Sequence, residues 1–226
     1  MTGNTDVIRD YFERWQEDLA RAKSLLDNPK YYLEARLVLS CYIGALGSLR
    51  YPDAKDGKAY TTVVREYSGR RDFFEQIDLL FFLQWPRSAF CGHGDYLELK
   101  NHSDIAQVIS AAYGGENQIK MGTPYVSQQD FVKSVDLGQL QSFDRENLLK
   151  CLPLFSLSEM LYRYERCRAV HSVRFPFVNR VTRVDGSIRY EDNHAITGPV
   201  LLETTERILG NLNKECIEKS QWPWEL

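Results

Sequence analysis

The chain has 226 residues, which suits one large domain or two small ones, since most domains contain about 100–200 residues. Hydrophobic residues make up 43% and charged residues 26%, a mixture that excludes a mainly disordered, collagen-like or fibrous protein. The formal net charge of −3 excludes a uniformly basic, histone-like nucleic-acid binder, but it leaves room for a local basic patch.

The N-terminal residues and the cysteines indicate in which cellular compartment the protein is expected. The first six residues lack the basic and apolar regions of a secretory signal, and no window reaches the roughly 18–20 uninterrupted apolar residues of a membrane span. The five cysteines lie far apart without a CxxC pair, which argues against a disulfide framework or a structural zinc site. We therefore predict a cytoplasmic protein without membrane association, whose thiols are reduced and mostly buried in the core.

Helical periodicity dominates the first half of the chain. Apolar residues recur at helical spacing over about 6–27, and from about 30 to 50 they occur on almost every side, as in a central helix covered by neighbours. Shorter helices are predicted at 59–67 and 71–84. An insert over 86–150 is predicted to contain a strand at 96–99, a helix over 104–113 that Ser103 caps and Gly114-Gly115 ends, and a short helix after Ser127.

The second half contains two well-marked elements. Ser156 and Glu159 have the spacing of a capping box, which predicts a helix over 157–171. Alternating residues around Asp185-Gly186 predict a β-hairpin over 181–190, and a final helix over about 199–219 follows Pro199. We predict one mainly α domain over 1–226, built from the helices at 6–27, 30–50, 71–84, 157–171 and 199–219.

Charge is distributed unevenly along this chain. The segment from Arg163 to Arg189 contains seven arginines and two acids, a net charge of +5, whereas residues 190–226 carry a net charge of −4. Arginine binds phosphate through a planar fork of donors and can stack on bases. The segment is therefore a candidate nucleic-acid surface, but on charge alone the favoured interpretation is that its helix and hairpin arginines pair with the acidic C-terminal helix.

Arg166 and His171 are the candidate catalytic residues within this segment. Five residues separate them by about 140° around an ideal α-helix, but a long arginine side chain could still bring both groups to one groove. A neutral histidine can take the proton from a 2′-hydroxyl that attacks the adjacent phosphate, while an arginine stabilises the charge on the phosphoryl oxygens. This chemistry needs neither a metal nor a cofactor.

The surrounding sequence, LYRYERCRAVHS at residues 161–172, resembles the Rx4-6H helix of the HEPN superfamily (higher eukaryotes and prokaryotes nucleotide-binding domains). The resemblance implies a helical bundle and a metal-independent endoribonuclease of a defence or toxin–antitoxin system. It implies Arg166 as the phosphate contact and His171 as the catalytic base or acid. Its further implications are a homodimeric composite site, RNA as partner, and an antitoxin or defence-complex protein as a second partner.

Arg163, Arg168 and Arg174 are predicted as accessory phosphate contacts. In many active HEPN members a polar residue follows the arginine, whereas Cys167 does so in this sequence. That difference favours the alternative hypothesis, a non-catalytic dimerisation or interaction module.

Other candidate functional residues can also be explained by a purely structural role. Cys167 and His171 share a helix face and could form a nucleophilic pair, although a packed cysteine is the favoured interpretation. Cys91, His93 and His102 could bind a metal but lack a clear fourth ligand, so an ordinary loop is favoured. Aromatic residues on the 30–50 helix are interpreted as core. The terminal Trp222-Pro223-Trp224 is predicted to dock on the domain rather than on a partner.

Overall fold

The computed structural model describes residues 2–85, 99–122, 124–138, 140 and 143–226. Helices make up most of this part, and the strands form two small antiparallel pairs, so the predicted mainly α fold is confirmed. The chain divides into two compact units. The first combines Met1–Arg71 with Leu161–Leu226, and the second is Asp72–Met160.

The first unit contains α1 (Thr2–Leu26), α2 (Tyr32–Arg50) and α12 (Gly198–Lys219), which were predicted as bundle helices, and α3 (Asp56–Tyr67), which was predicted as a shorter helix. A 3₁₀ turn at Pro29–Tyr31 precedes α2. Helix α2 packs against α1, α3 and α12, which confirms its predicted central position. Its apolar residues Leu39, Ile43 and Leu46 are fully buried, because neighbours cover the helix on several sides.

The helix predicted at 157–171 consists of three consecutive segments. An α-helical turn, α10 (Leu157–Met160), is followed by a π-helical stretch at Leu161–Arg166 and then by α11 (Cys167–Ser172). Ser156 Oγ accepts a hydrogen bond from the Glu159 N–H at 3.5 Å, the N-terminal half of the predicted capping box. The π-helical stretch alters the side-chain spacing just before Arg166 and was not predicted.

The predicted hairpin is present and longer than expected. Strands β3 (Val178–Thr182) and β4 (Ile188–Asp192) pair antiparallel with Arg180 opposite Tyr190. Gly186 adopts a φ of 80° at the turn, a conformation in which glycine has no Cβ penalty. The C-terminal tail docks as predicted, since the ring of Trp222 meets that of Tyr11 edge-on at 5.6 Å between centroids.

The second unit has its own apolar core. Phe82 makes edge-on contacts with Phe131 and Phe155, and all three side chains are buried. Its elements are, in chain order, α4 (Arg71–Phe74), β1 (Ile77–Asp78), α5 (Leu79–Gln84), α6 (His102–Tyr113), α7 (Gly115–Met121), β2 (Tyr125–Val126), α8 (Gln128–Leu137), α9 (Arg145–Cys151), a 3₁₀ segment at Leu152–Phe155, and α10.

Two local predictions in this unit are wrong. The helix predicted at 71–84 is interrupted by β1, because Ile77 and Asp78 pair with β2, which lies about fifty positions further along the chain. Asp78 then caps α5 by accepting a hydrogen bond from the Phe81 N–H.

Ser103 is not the N-cap of α6, because that helix begins at His102 and follows Asn101, whose φ is 58°. The helix after Ser127 is confirmed, and most of the strand predicted at 96–99 lies outside the described residues.

Candidate nucleic-acid interface

Arg166 lies at the end of the π-helical stretch, and its side chain binds a carboxylate. Arg166 Nη1 donates to Asp56 Oδ2 at 2.7 Å, and the Tyr162 hydroxyl donates to the same oxygen at 3.0 Å. The guanidinium carbon also lies 5.6 Å from the centroid of the Tyr162 ring. Only 20% of the Arg166 side chain is exposed, against 46% for Asp56. The Arg166 guanidinium, which was predicted to bind phosphate, therefore forms an ion pair with the accessible carboxylate of Asp56 at the start of α3.

His171 lies in the last turn of α11 and is exposed. Within the described residues, no hydrogen bond, ion pair or ring contact joins His171 to Arg166. The two predicted catalytic side chains therefore share one short segment but are not in contact within a single copy of the chain.

Buried polar atoms surround the inner side of Arg166. Arg166 Nε and Glu165 Oε2 are buried and have no hydrogen-bond partner in the described part of the chain, and the buried hydroxyls of Tyr60 and Ser40 face each other. At Gly44, an added Cβ would lie 3.6 Å from the Tyr60 ring and 3.8 Å from Arg166 Nε, so this region is closely packed. Burial raises the pKa of Tyr60 well above its usual range, and Glu165 adds to the effect, so the phenol stays protonated.

A buried ionic network adjoins these atoms, and the sequence analysis did not identify it. Arg36 Nε donates to Glu165 Oε1 at 2.6 Å, Nη1 to Asp192 Oδ1 at 2.7 Å, and Nη2 to the carbonyl of Ile196 at 2.9 Å. Arg36 and Glu165 are fully buried. Desolvation acts to lower the pKa of Arg36, but Glu165, with smaller contributions from Asp192 and Tyr32, outweighs it and raises the pKa, so the guanidinium is charged. An arginine on a helix that is apolar on almost every side was the available signal, because such a charge needs partners.

The three predicted accessory arginines differ in exposure. Arg174 is exposed, whereas Arg163 and Arg168 are half-buried and have other interactions.

The acidic residues of α12 pair with bases outside the arginine-rich segment in the described structure. Glu203 pairs with Arg70 and Arg207, Glu215 with Lys219, and Glu218 with Lys214. The described contacts thus give no support to the interpretation that α12 neutralises the arginine-rich segment.

The structure also locates the described cysteines and one of the candidate metal ligands, His102. Cys167 is half-buried and Cys41 is exposed, while Cys151 and Cys216 are buried. Burial, together with Cys167 and Asp56, raises the pKa of Tyr162. His102 Nε2 lies 2.7 Å from the carbonyl oxygen of Phe82, which gives it a structural contact, and Cys91 and His93 lie outside the described residues. Among the residues that are described, no three His, Cys, Asp or Glu side chains form a metal-binding group.

Comparisons with known proteins give no family for this chain. No family model matches it, and neither the curated proteins nor the solved structures contain a match. In the described part of the chain, no helix is both long and apolar enough to span a membrane.

Proposed function

We propose that this chain is a HEPN-like RNA-binding protein that contacts the phosphate backbone through the segment from Arg166 to Arg174. The observation that carries the proposal is the exposure of His171 and Arg174, whose side chains have no hydrogen-bond or ionic partner within the described residues. An exposed arginine without a counter-ion attracts phosphate, and an exposed imidazole can reach a hydroxyl of the same ligand.

The proposed reaction is cleavage of the RNA strand without a metal. Neutral His171 takes the proton of a 2′-hydroxyl, and the resulting oxygen attacks the adjacent phosphorus while the bond to the 5′-oxygen breaks. The products are a 2′,3′-cyclic phosphate and a 5′-hydroxyl, which receives a proton from an imidazolium. Arg166 stabilises the charge on the phosphoryl oxygens once phosphate replaces Asp56 as its partner. A second copy of the chain completes the site by bringing the two motifs together.

One observation favours a second candidate function, a non-catalytic interaction module. The Arg166–Asp56 pair and the Tyr162 hydroxyl on the same carboxylate form a polar cluster within one copy of the chain. Such a cluster stabilises the packing of the helix that carries it, whether or not RNA binds.

The test is binding and cleavage of a labelled RNA by the purified chain in EDTA, with light scattering to measure the oligomeric state. The proposal expects a dimer that binds RNA, and cleavage that falls at least about 100-fold in His171→Ala. Ser172→Ala, a change at the neighbouring exposed residue, is the matched control and keeps the activity. Asp56→Asn should increase cleavage, because it releases Arg166. RNA binding without cleavage would establish the non-catalytic function, and failure to bind RNA would overturn the proposal.

A further inference from the structure

The first unit contains a cleft between the C-terminal end of α1 and the hairpin. Its volume is about 470 Å³, within the range of about 300–1,000 Å³ that is usual for small-molecule sites. Leu26 and Pro29 line it on the helical side, and Ile188 lines it from β4. These three apolar side chains provide a surface suited to the flat face of a ligand.

Two tyrosines form the aromatic part of the cleft. The rings of Tyr32 and Tyr190 are within 13° of parallel, with centroids 6.5 Å apart. The hydroxyl of Tyr32 donates to Asp192 and accepts from the Gly198 N–H at 3.1 Å. Because Arg36 in turn holds Asp192, the Tyr32 ring is fixed by a buried network. A fixed aromatic ring loses little conformational entropy when a ligand stacks on it.

The charge of the cleft is positive. Arg183 and Arg189 line it, and no carboxylate does so among the described residues. The Arg183 side chain has no ion pair in the described part of the chain, and the nearest contact of Arg189 with an acid is 3.7 Å, to Glu191. The Asp185 carboxylate is occupied by hydrogen bonds from Ser187 at the hairpin turn. Aromatic and apolar walls beside Arg183, which has no ion pair among the described residues, and Arg189, whose ion pair with Glu191 is long and exposed, suit a ligand with both a planar ring and an anionic group.

We propose that this cleft binds a nucleotide, with the base against the tyrosines and the apolar wall and the phosphate against Arg183 and Arg189. The nucleotide could be free or part of an RNA chain, since both present the same base and phosphate. The inference goes beyond the proposed function, because it uses neither Arg166, His171 nor Arg174.

The test is calorimetric titration of the full chain with the four ribonucleoside monophosphates, adenosine, ribose 5-phosphate and a short oligouridylate. For a free nucleotide, the monophosphates bind at least about tenfold more tightly than adenosine or ribose 5-phosphate, because stacking and the phosphate contact are each worth a factor of this size. For RNA as the source, the oligouridylate binds and the monophosphates do not. Either result supports binding in the cleft only if substitutions of the residues that line the cleft weaken it.

Arg183→Gln and Ile188→Glu change exposed side chains, so both variants should fold, and each should weaken binding at least about tenfold. Tyr190→Leu removes the stacking ring. The matched control is Arg180→Gln, which removes the same charge from the same hairpin without lining the cleft, and it should bind as the unmodified chain does. Equal weakening by Arg180→Gln and Arg183→Gln, or no binding of any probe, would overturn the inference. Binding of the monophosphates or the oligouridylate that none of the cleft variants weakens would overturn it too, and persistent RNA binding in that case would leave the proposed function intact.

Discussion

At the scale of single residues, Arg36 is the most constrained charge in the described structure. It binds two carboxylates and a carbonyl while fully buried, and its partners Glu165 and Asp192 come from distant parts of the chain. A buried ion pair adds little net stability compared with an apolar pair of similar size, but removal of one partner leaves a buried charge without compensation. Arg36 therefore determines which parts of the chain come together, and its ion pairs add little to the net stability of the fold.

We expect Arg36→Met to lower the free energy of unfolding by about 3–5 kcal/mol, because Glu165 then remains buried without its cation. Urea denaturation followed by circular dichroism measures the change. The double variant Arg36→Met with Glu165→Met should recover most of the loss, since Asp192 is partly exposed and keeps its contact with Tyr32. A loss below about 1 kcal/mol in the single variant would contradict this account of the network.

This network also shows why part of the site was not predictable from sequence. Arg36 and Glu165 are 129 positions apart, and no local pattern indicates which acid an interior arginine meets. The same holds for Asp56, which is 110 positions from the arginine that it binds. The placement of Arg166 and His171 on one helical segment was predictable because it depends only on neighbouring residues.

At the scale of elements, local signals predicted the long helices of the first unit and the hairpin. Apolar periodicity identified α1, α2 and α12, and the Asp185-Gly186 turn identified the β3–β4 pair. The prediction for 71–84 was wrong because its apolar spacing also fits a short strand, and that strand pairs with residues 125 and 126, while Ile77 also forms a bridge with Ser156. Non-local pairing decided the structure of this segment, where the local pattern allowed two outcomes.

The end of α11 carries a backbone conformation that valine disfavours. Val173 follows the helix at φ 51° and is 78% exposed, so no packing compensates for the left-handed conformation. We expect Val173→Gly to stabilise the chain by up to about 1 kcal/mol, since glycine adopts this conformation without a Cβ clash. The control is Val170→Gly within the helix, which should destabilise it by about 1 kcal/mol. Thermal melts of the two variants that shift in the same direction would contradict the assignment.

Helix α6 begins with a histidine whose burial makes the second unit sensitive to acid. Burial lowers the pKa of His102, although its hydrogen bond with the Phe82 carbonyl opposes the shift. The folded chain therefore binds this proton less readily than the unfolded chain, and stability should fall as the pH drops below about 6.5. The urea midpoint at pH 5 and pH 7 measures the effect. We expect a smaller difference between the two midpoints in His102→Gln than in the unmodified chain, and equal differences in the two proteins would refute the assignment.

At the scale of the whole molecule, the net charge of −3 conceals a segment of +5 between residues 163 and 189. If RNA binds this segment, its affinity should depend on salt through the few arginines that touch phosphate, not through the total charge. A single-stranded RNA gains a slope of about −0.7 in log affinity against log salt for each phosphate contact. The salt dependence therefore reports where on the chain the RNA lies.

We expect Arg174→Gln to weaken RNA binding and to reduce that slope by about 0.7, because one phosphate contact is lost. The control is Lys214→Gln, which removes the same charge from α12, where Lys214 pairs with Glu218 at 3.9 Å. Fluorescence anisotropy at several salt concentrations gives both slopes. An equal reduction in the two variants would mean that RNA responds to the overall charge of the protein, and the segment from 163 to 189 would then have no special part in binding.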